Sequence, residues 1–103
     1  MAQNSIFRGV ARKIISTESY TAYRYHNTAV VRVDRDGTIT LDSGGYRTAT
    51  TKLAMNQVSN QFGYGFQVIQ RKGDWFVVTD GGNEWEFYDG IVFTVAEARA
   101  RAA

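Results

Sequence analysis

A chain of 103 residues is long enough for one domain with a single core but too short for a separate substrate domain. With 44% hydrophobic and 21% charged residues it is not a disordered chain, and the absence of cysteine excludes disulfides and thiolate metal sites. The net charge of +2 is too small for strong non-specific attraction to nucleic acid, and every apolar run is far shorter than a membrane helix. We therefore expect one domain over residues 1–103, with no metal, no cofactor and no membrane partner.

The first forty residues are typical of short antiparallel strands. "ARKIISTESYTAYRY" predicts one or two strands with a turn near residues 16–19. "TAVVRVD" alternates with the two-residue period of a half-buried strand, which separates Val30 from Val31 onto opposite faces. An Asp-Gly turn then leads into "TITLD", with Ile39 and Leu41 inward. Two alternating runs across Asp-Gly predict a hairpin.

The segment "TTKLAMNQVSNQF", residues 50–62, breaks this pattern and predicts an amphipathic helix. Thr50 or Thr51 is suited to the N-cap, and Gly63 to the C-terminal stop. At the helical period one side gathers Ala54, Met55, Val58 and Phe62, and the other gathers Lys52, Asn56 and Ser59.

Further strands are predicted in "FQVIQR", "WFVVT", "EWEFY" and "IVFTV", which are separated by turns at "KGD", "DGGN" and "DG". The C-terminal "VAEARARAA" either adds a short helix or frays as a tail over about 97–103. The expected fold class is therefore α+β, a mainly antiparallel sheet of six to eight short strands with one amphipathic helix packed on it.

The central "DSGGYRTATTK", residues 42–52, is a candidate anion site. Glycines let a backbone approach a ligand, and the first turn of a helix presents unpaired N–H groups and the positive end of the helix dipole. The residues that could contact a ligand here are Ser43, Gly44, Gly45, Tyr46, Arg47, Thr48, Thr50, Thr51, Lys52 and, one helical turn on, Asn56. Arg47 and Lys52 would neutralise phosphate, and Asn56 would read a base edge or a ribose.

The alternative interpretation of this segment is purely structural. A Gly-Gly pair can be only a turn, threonines can be helix caps, and Arg47 and Lys52 can be solvated. The spacing matches neither a Walker loop nor a dinucleotide fingerprint. Charge favours the anion site, because residues 1–52 carry eight Lys/Arg and four Asp/Glu, whereas residues 53–103 carry four and six.

Aromatic residues and the single histidine are the remaining candidates. Core positions are expected for Trp75, Trp85, Phe87 and Phe93, and exposed or edge positions for the tyrosines at 20, 23, 25, 46, 64 and 88. Tyrosine can stack on bases, although β-proteins are tyrosine-rich in any case. His26 could contact a ligand, although a lone histidine is more often structural. Since no catalytic triad or carboxylate pair is evident, we expect no enzyme.

The segment "YHNTAVVRVDRDGTITLDSGGYRTATTKLAMNQ", residues 25–57, resembles a group of small proteins encoded by tailed bacteriophages. Their core pattern runs N-T-x-V-V, then G-x-I-x-L-x-S-G-G-[WY]-R-T-x-T-T-K, then a helix with M/I-N. "GDWFVV" and "YDGIVF" resemble that group more loosely. The resemblance implies a phage protein that acts on host components in the host cytoplasm.

The leading hypothesis is a non-catalytic binding protein that sequesters a phosphate-bearing nucleotide, such as a cyclic nucleotide signal of host anti-phage defence. Binders of this kind are commonly homo-oligomers, so we expect a dimer or larger. The alternatives are an accessory protein that binds single-stranded nucleic acid or a host protein, and a minor virion component.

Overall fold

The computed structural model describes residues 7–9 and 11–101. The chain forms eight strands and two helices within these residues, which confirms the α+β class. The strands are β1 Arg12–Ser16, β2 Tyr20–Tyr25, β3 Thr28–Asp34, β4 Thr38–Leu41, β5 Phe66–Arg71, β6 Asp74–Thr79, β7 Glu84–Glu86 and β8 Ile91–Thr94. The helices are α1 Ala49–Phe62 and α2 Val95–Arg99.

Five strands form one antiparallel sheet in the order β1-β2-β3-β4-β8. The predicted Asp-Gly hairpin between β3 and β4 is confirmed, with Val31 opposite Leu41 and Val33 opposite Ile39. The last strand, β8, joins this sheet beside β4 rather than beside its neighbour in sequence. Ile39 and Leu41 are buried, as expected.

The other three strands form a second antiparallel sheet in the order β5-β6-β7. The chain between β7 and β8 turns at Asp89-Gly90 as predicted, but this turn connects two sheets and not the two strands of a hairpin. Periodicity alone identifies both strands and cannot show which partner each one pairs with.

The strict alternation expected in β3 is broken by a bulge. The register of β3 against β2 shifts between Tyr23 and Arg24, so Val30 has no direct partner on β2. As a result Val30 and Val31 are both buried, although they are adjacent in sequence.

The N-cap of helix α1 lies two or three residues earlier than the sequence indicated. The N-cap is Thr48, whose hydroxyl accepts a hydrogen bond from the Thr51 amide at 3.2 Å, so Thr50 and Thr51 lie inside the first turn instead of capping it. The predicted stop is confirmed, because Gly63 adopts φ +71° and donates its amide to the Ser59 carbonyl.

The buried face of α1 is only partly as predicted. Ala54, Met55 and Val58 are fully buried against the sheets, but Phe62 is 40% exposed at the helix end. The expectation that Asn56 and Ser59 face away from the sheets is wrong. Both side chains hydrogen-bond backbone groups of β5, as described below.

Aromatic side chains fill much of the core between the sheets and α1. Trp75, Phe87 and Phe93 are buried as expected, and the partly buried Trp85 packs against Phe93 with ring centroids 5.2 Å apart. The expectation of an exposed or edge position is wrong for Tyr23, which is buried.

The short helix α2 confirms the helical alternative for the C-terminal segment over Val95–Arg99; residues 102–103 lie outside the described part of the chain. The last residue of β8, Thr94, is also the N-cap of α2 and forms a capping box with Glu97. Neither α1 nor α2 has the length and apolar character that a membrane crossing requires.

Candidate functional site

A cleft of about 420 Å³ opens between the β2–β3 turn and the segment that leads into α1; we call it the turn–helix cleft. The turn side contributes Tyr25, His26, Asn27 and Thr28, and the segment side contributes Ser43, Tyr46, Thr48, Thr50 and Thr51, with Val30 from β3. The volume lies within the ordinary range of small-molecule sites.

The structure brings together six of the residues predicted from sequence. His26, Ser43, Tyr46, Thr48, Thr50 and Thr51 line this cleft. The other five predicted residues, Gly44, Gly45, Arg47, Lys52 and Asn56, are not part of its lining.

The amides of the Ser-Gly-Gly segment already have partners within the chain. The Gly44 N–H donates to Asp42 Oδ1 at 2.7 Å, the Gly45 N–H to Ser43 Oγ at 3.2 Å, and the Tyr46 N–H to the Ser43 carbonyl at 3.1 Å. The segment is therefore a self-satisfied turn, and these amides do not form the open anion cradle that the sequence indicated.

The same turn is tethered to the loop before β8 by a carboxylate. Asp89 Oδ1 accepts from the Ser43 N–H at 2.8 Å and from the Ser43 hydroxyl at 2.7 Å. Desolvation by burial alone would raise the pKa of Asp89. The two Ser43 hydrogen bonds, the charge of Arg47 and the Gly45 amide together outweigh that effect, so the pKa lies below its usual value.

Both predicted cations are engaged outside the cleft. The guanidinium carbon of Arg47 lies 5.1 Å from the centre of the Phe87 ring, a cation–π distance. Lys52 Nζ lies 3.4 Å from Gln70 Oε1 on β5. Arg47 and Lys52 thus serve different neighbours and do not form a joint phosphate clamp.

Asn56 is committed to the second sheet. Its side-chain amide donates to the Val68 carbonyl at 2.9 Å and accepts from the Val68 amide at 2.7 Å. Both ends of the Asn56 side chain are therefore occupied, and the structure does not present them to a ligand.

The first turn of α1 has open backbone donors beside the cleft, which Thr50 lines and Ala49 adjoins in sequence. Thr48 caps the Thr51 amide, while the amides of Ala49 and Thr50 have no partner among the described residues. The Thr48 hydroxyl lies 3.1 Å from the Thr50 hydroxyl and 3.0 Å from the Thr51 hydroxyl. The first turn contains no acidic residue, so its positive dipole end is not neutralised locally.

Aromatic rings form the opposite wall. The Tyr25 and His26 rings lie 4.4 Å apart between centroids, and the Arg12 guanidinium lies 4.9 Å from the centre of the Tyr25 ring. Tyr46, on the segment side of the cleft, is 70% exposed. His26 adopts φ +57°, a left-handed conformation that the two-residue turn between β2 and β3 imposes.

Tyr25, Asn27 and Thr28 were not among the predicted site residues. The sequence pattern that could have identified them is "YHNT", which connects two alternating, strand-like runs. A two-residue connection predicts a tight hairpin turn, but only the fold shows that this turn faces the start of α1.

Among the described residues no group of three or more His, Asp or Glu side chains is arranged to hold a metal ion. Every buried side-chain nitrogen or oxygen of those residues has a hydrogen-bond partner. The turn–helix cleft therefore offers hydroxyls, open amides and aromatic rings, which suit binding by hydrogen bonds and stacking.

Comparison with known proteins gives a family match. A family model described as Kyanoviridae Gp96 protein matches residues 6–94 of this chain. No curated protein and no solved structure matches significantly.

Proposed function

Because the chain belongs to the Kyanoviridae Gp96 family, a phage protein family, we propose that it is a phage-encoded, non-catalytic binding protein that captures a phosphate-bearing nucleotide in the turn–helix cleft. The observation that carries the proposal is that one cleft combines aromatic rings with the open first turn of α1.

The aromatic wall supports recognition of a base. Tyr46 is largely exposed on the segment side of the cleft, and Tyr25 and His26 lie against each other on the turn side. Stacking on such rings contributes about 1–3 kcal/mol per base and tolerates different bases. Asn27 and Thr28 add hydrogen-bonding groups at the same turn, within reach of a base edge or a sugar hydroxyl.

The first turn of α1 supports recognition of the phosphate. The Ala49 and Thr50 amides are open, and the hydroxyls of Thr48 and Thr50 line the cleft beside them. A helix N-terminus of this kind is suited to an anion, and no carboxylate occurs among the described lining residues. The phosphate contacts are therefore assigned to this first turn and not to Arg47 and Lys52.

A cyclic nucleotide signal of host anti-phage defence is a ligand of this chemical class, because it joins a base to a phosphate in a compact molecule. A protein that sequesters such a signal acts where the host makes it. We therefore place its action in the host cytoplasm.

A thermal-shift screen over nucleosides and mono-, di- and cyclic nucleotides, followed by calorimetry on the best ligand, tests the proposal. Tyr46→Ala should weaken binding about tenfold or more, since it removes a stacking surface worth about 1–3 kcal/mol. Tyr88→Ala is the matched control, because Tyr88 is similarly exposed at 58% but does not line the cleft.

The phosphate contact has its own variant. Ala49 occupies the first helical position, where proline is tolerated, and Thr48 before it has the extended conformation that proline requires. Ala49→Pro removes one open N–H without breaking the helix, and should lower the affinity for nucleotides about tenfold while leaving that for nucleosides unchanged. Ala49→Ser, which keeps the amide, should bind normally.

The alternatives give different results. A steep salt dependence of oligonucleotide binding, without any shift from small nucleotides, would favour a single-stranded nucleic-acid accessory protein. If no nucleotide binds, or if Tyr46→Ala and Ala49→Pro bind every nucleotide as the unmodified protein does, the proposed function is wrong.

A further inference from the structure

The five-stranded sheet ends in two strands that have no neighbour on their outer side among the described residues, β1 and β8. In an antiparallel ladder alternate residues direct both backbone groups to the paired strand, and the residues between them direct theirs away. The His26 N–H donates to the Ala11 carbonyl, and the Thr17 N–H donates to the Tyr20 carbonyl, so the odd-numbered residues of β1 direct their backbone groups to β2. The even-numbered Ile14 therefore directs its N–H and C=O outward.

Strand β8 also directs some of its backbone groups away from the sheet. The Val95 N–H donates to the Gly37 carbonyl, so Val95 and Phe93 direct their backbone groups to β4. Val92, which alternates with these residues, directs its N–H and C=O outward. The outward-pointing residues on the two edges are also apolar and exposed: Ile14 is 44% exposed and Val92 is 56% exposed. Exposed apolar residues on an open edge favour pairing with another strand.

A second cleft, of about 540 Å³, runs beside the free edge of β8. It is lined by Val92 and the 58% exposed Tyr88 together with three glutamates, Glu84, Glu86 and Glu97. Glu84 is bonded to Arg71, and Glu97 is held in the capping box of α2. The Glu86 side chain makes no hydrogen bond or ion pair with the described residues, so its carboxylate is available to a cationic partner.

The opposite edge of the sheet carries the complementary charge. Lys13 on β1 is exposed, and its side chain makes no hydrogen bond or ion pair with the described residues. By contrast, no lysine or arginine occurs between residues 84 and 98, a stretch that contains four carboxylates. One edge is therefore cationic and the other acidic.

The two edges also match in direction and in face. Four antiparallel steps separate β1 from β8, so the two strands run parallel to each other. Cross-strand partners lie on the same face of a sheet, and one such row across all five strands consists of Ile15, Ala22, Arg32, Thr40 and Val92. A second copy placed with its β1 beside β8 would continue this row, with Ile15 next to Val92.

From this geometry we propose that β1 of one copy pairs in parallel with the free edge of β8 of another, in the cleft that contains Glu86. In this register the Val92 N–H donates to the carbonyl of Ile14 in the second copy, and Val92 accepts from the amide of Ser16 in that copy. Lys13 enters the acidic cleft on the same face as Ile15. Because the two contact surfaces differ, the assembly is head-to-tail and forms a ring or an open chain of copies.

The test uses full-length protein without nucleotide, so it does not depend on the proposed function. Sedimentation of the unmodified protein should show masses above one copy that grow with concentration and shrink with added salt. Ile14→Pro blocks only the β1 edge and Val92→Pro only the β8 edge. Neither removes a bond inside the sheet, because both amides point outward.

Each proline variant alone should sediment as a single copy, since neither can pair with itself. A one-to-one mixture of the two should give a complex of two copies and nothing larger, because each variant retains one working edge. Circular dichroism and thermal unfolding of both variants check that they fold.

Charge variants test the same contact without proline. Lys13→Glu and Glu86→Lys should each lose most of the association, and mixing the two should restore the head-to-tail assembly, because opposite charges then meet at both kinds of contact. Lys72→Glu, which changes an exposed cation in the β5–β6 turn, is the control and should assemble normally.

The proposal is overturned if the unmodified protein sediments as one copy at all concentrations. It is equally overturned if the proline mixture forms no complex, or if neither edge variant reduces the mass. The last result would indicate a symmetric dimer through another surface, or assembly that depends on a different partner.

Discussion

Asn56 on α1 and Val68 on β5 exchange two hydrogen bonds through the Asn56 side chain, at 2.9 Å and 2.7 Å. The side-chain amide has the same donor and acceptor as a peptide unit, so it takes the place of a neighbouring strand at this point of the β5 edge. The Ser59 hydroxyl likewise pairs a backbone group of this edge, because it accepts a hydrogen bond from the Phe66 amide at 3.0 Å. Helix α1 thereby covers an edge that would otherwise leave backbone groups unpaired.

Asn56→Ala should therefore destabilise the protein by about 2–3 kcal/mol, since it leaves the N–H and the C=O of the buried Val68 without partners. Chemical denaturation at neutral pH measures this change. Asn60→Ala on the exposed side of the same helix is the control, and we expect its effect to stay within about 0.5 kcal/mol. Equal effects for the two variants would contradict a structural role for the Asn56 amide.

Gly44 and Gly45 should respond very differently to alanine. Both have positive φ, which costs a residue with a side chain about 1 kcal/mol. A Cβ on Gly44 would in addition overlap Thr28 Oγ1, whereas a Cβ on Gly45 has no atom within 4 Å. We expect Gly44→Ala to destabilise by about 1–3 kcal/mol more than Gly45→Ala, measured by thermal and denaturant unfolding.

The Gly44 effect should shrink when Thr28 is also replaced by alanine, because the overlapping hydroxyl is then gone. Non-additivity of the two substitutions is the signature of a direct contact. If the two changes are simply additive, the cost at Gly44 comes from its backbone conformation and not from Thr28.

Asp89 should make stability dependent on pH in the acid range. Its pKa is lower in the folded protein than in the unfolded chain, so its contribution is present above the unfolded pKa of about 3.9 and is lost as pH falls through the folded pKa. Asp89→Asn should cost about 1 kcal/mol at pH 7, a value reduced by the exposure of this residue.

Unfolding free energies of the two proteins, measured from pH 7 down to pH 2, check this expectation. The difference between them should be constant above about pH 5 and should become smaller below about pH 4. A difference that does not change over that range would show that the carboxylate charge is not what holds Ser43.

Tyr23 should make stability dependent on pH in the alkaline range. Burial raises the pKa of the Tyr23 phenol, and the hydrogen bond of 2.6 Å with the Tyr64 hydroxyl raises it further. A raised pKa means that the folded state keeps this proton after the unfolded chain has lost it. Stability is therefore intact below about pH 10 and falls above it, by up to about 1.4 kcal/mol per pH unit from this group.

Tyr23→Phe should remove this part of the alkaline loss. Unfolding at pH 8, 10 and 11, compared between the two proteins, separates Tyr23 from the other tyrosines and lysines, which titrate in both. Parallel losses in the two proteins would contradict the assignment to Tyr23.

Local signals predicted the elements of the fold but not how they assemble. The Asp-Gly turn, the glycine after Phe62 and the strands β3 and β4 depend on neighbours in sequence, and each was identified correctly, although a bulge breaks the expected alternation in β3. The separation into two sheets depends on β8 pairing with β4, across α1 and the whole three-stranded sheet. The hydrophobic periodicity of a strand does not show which distant strand it pairs with.

The candidate site shows the same division. Hydroxyls, glycines and a helix start were correctly placed in one segment, but their roles depend on distant partners. Asp89 lies 46 residues from Ser43, and Val68 lies 12 residues from Asn56. These long-range bonds engage Ser43 and Asn56 within the protein. The amides that were expected to form the cradle are instead satisfied by Asp42 and Ser43 within the segment.

The position of β8 beside β4 also bears on how quickly the protein can reach its native state. The hairpins from β1 to β4 form between segments adjacent in sequence, so they can pair early. Strand β8 can join them only after the long stretch between β4 and β8 has closed into a loop, and non-local closure of this kind slows folding. Refolding should therefore be limited by the arrival of β8, and this strand, short and far from its partner in sequence, should be among the first to detach when the native state opens locally.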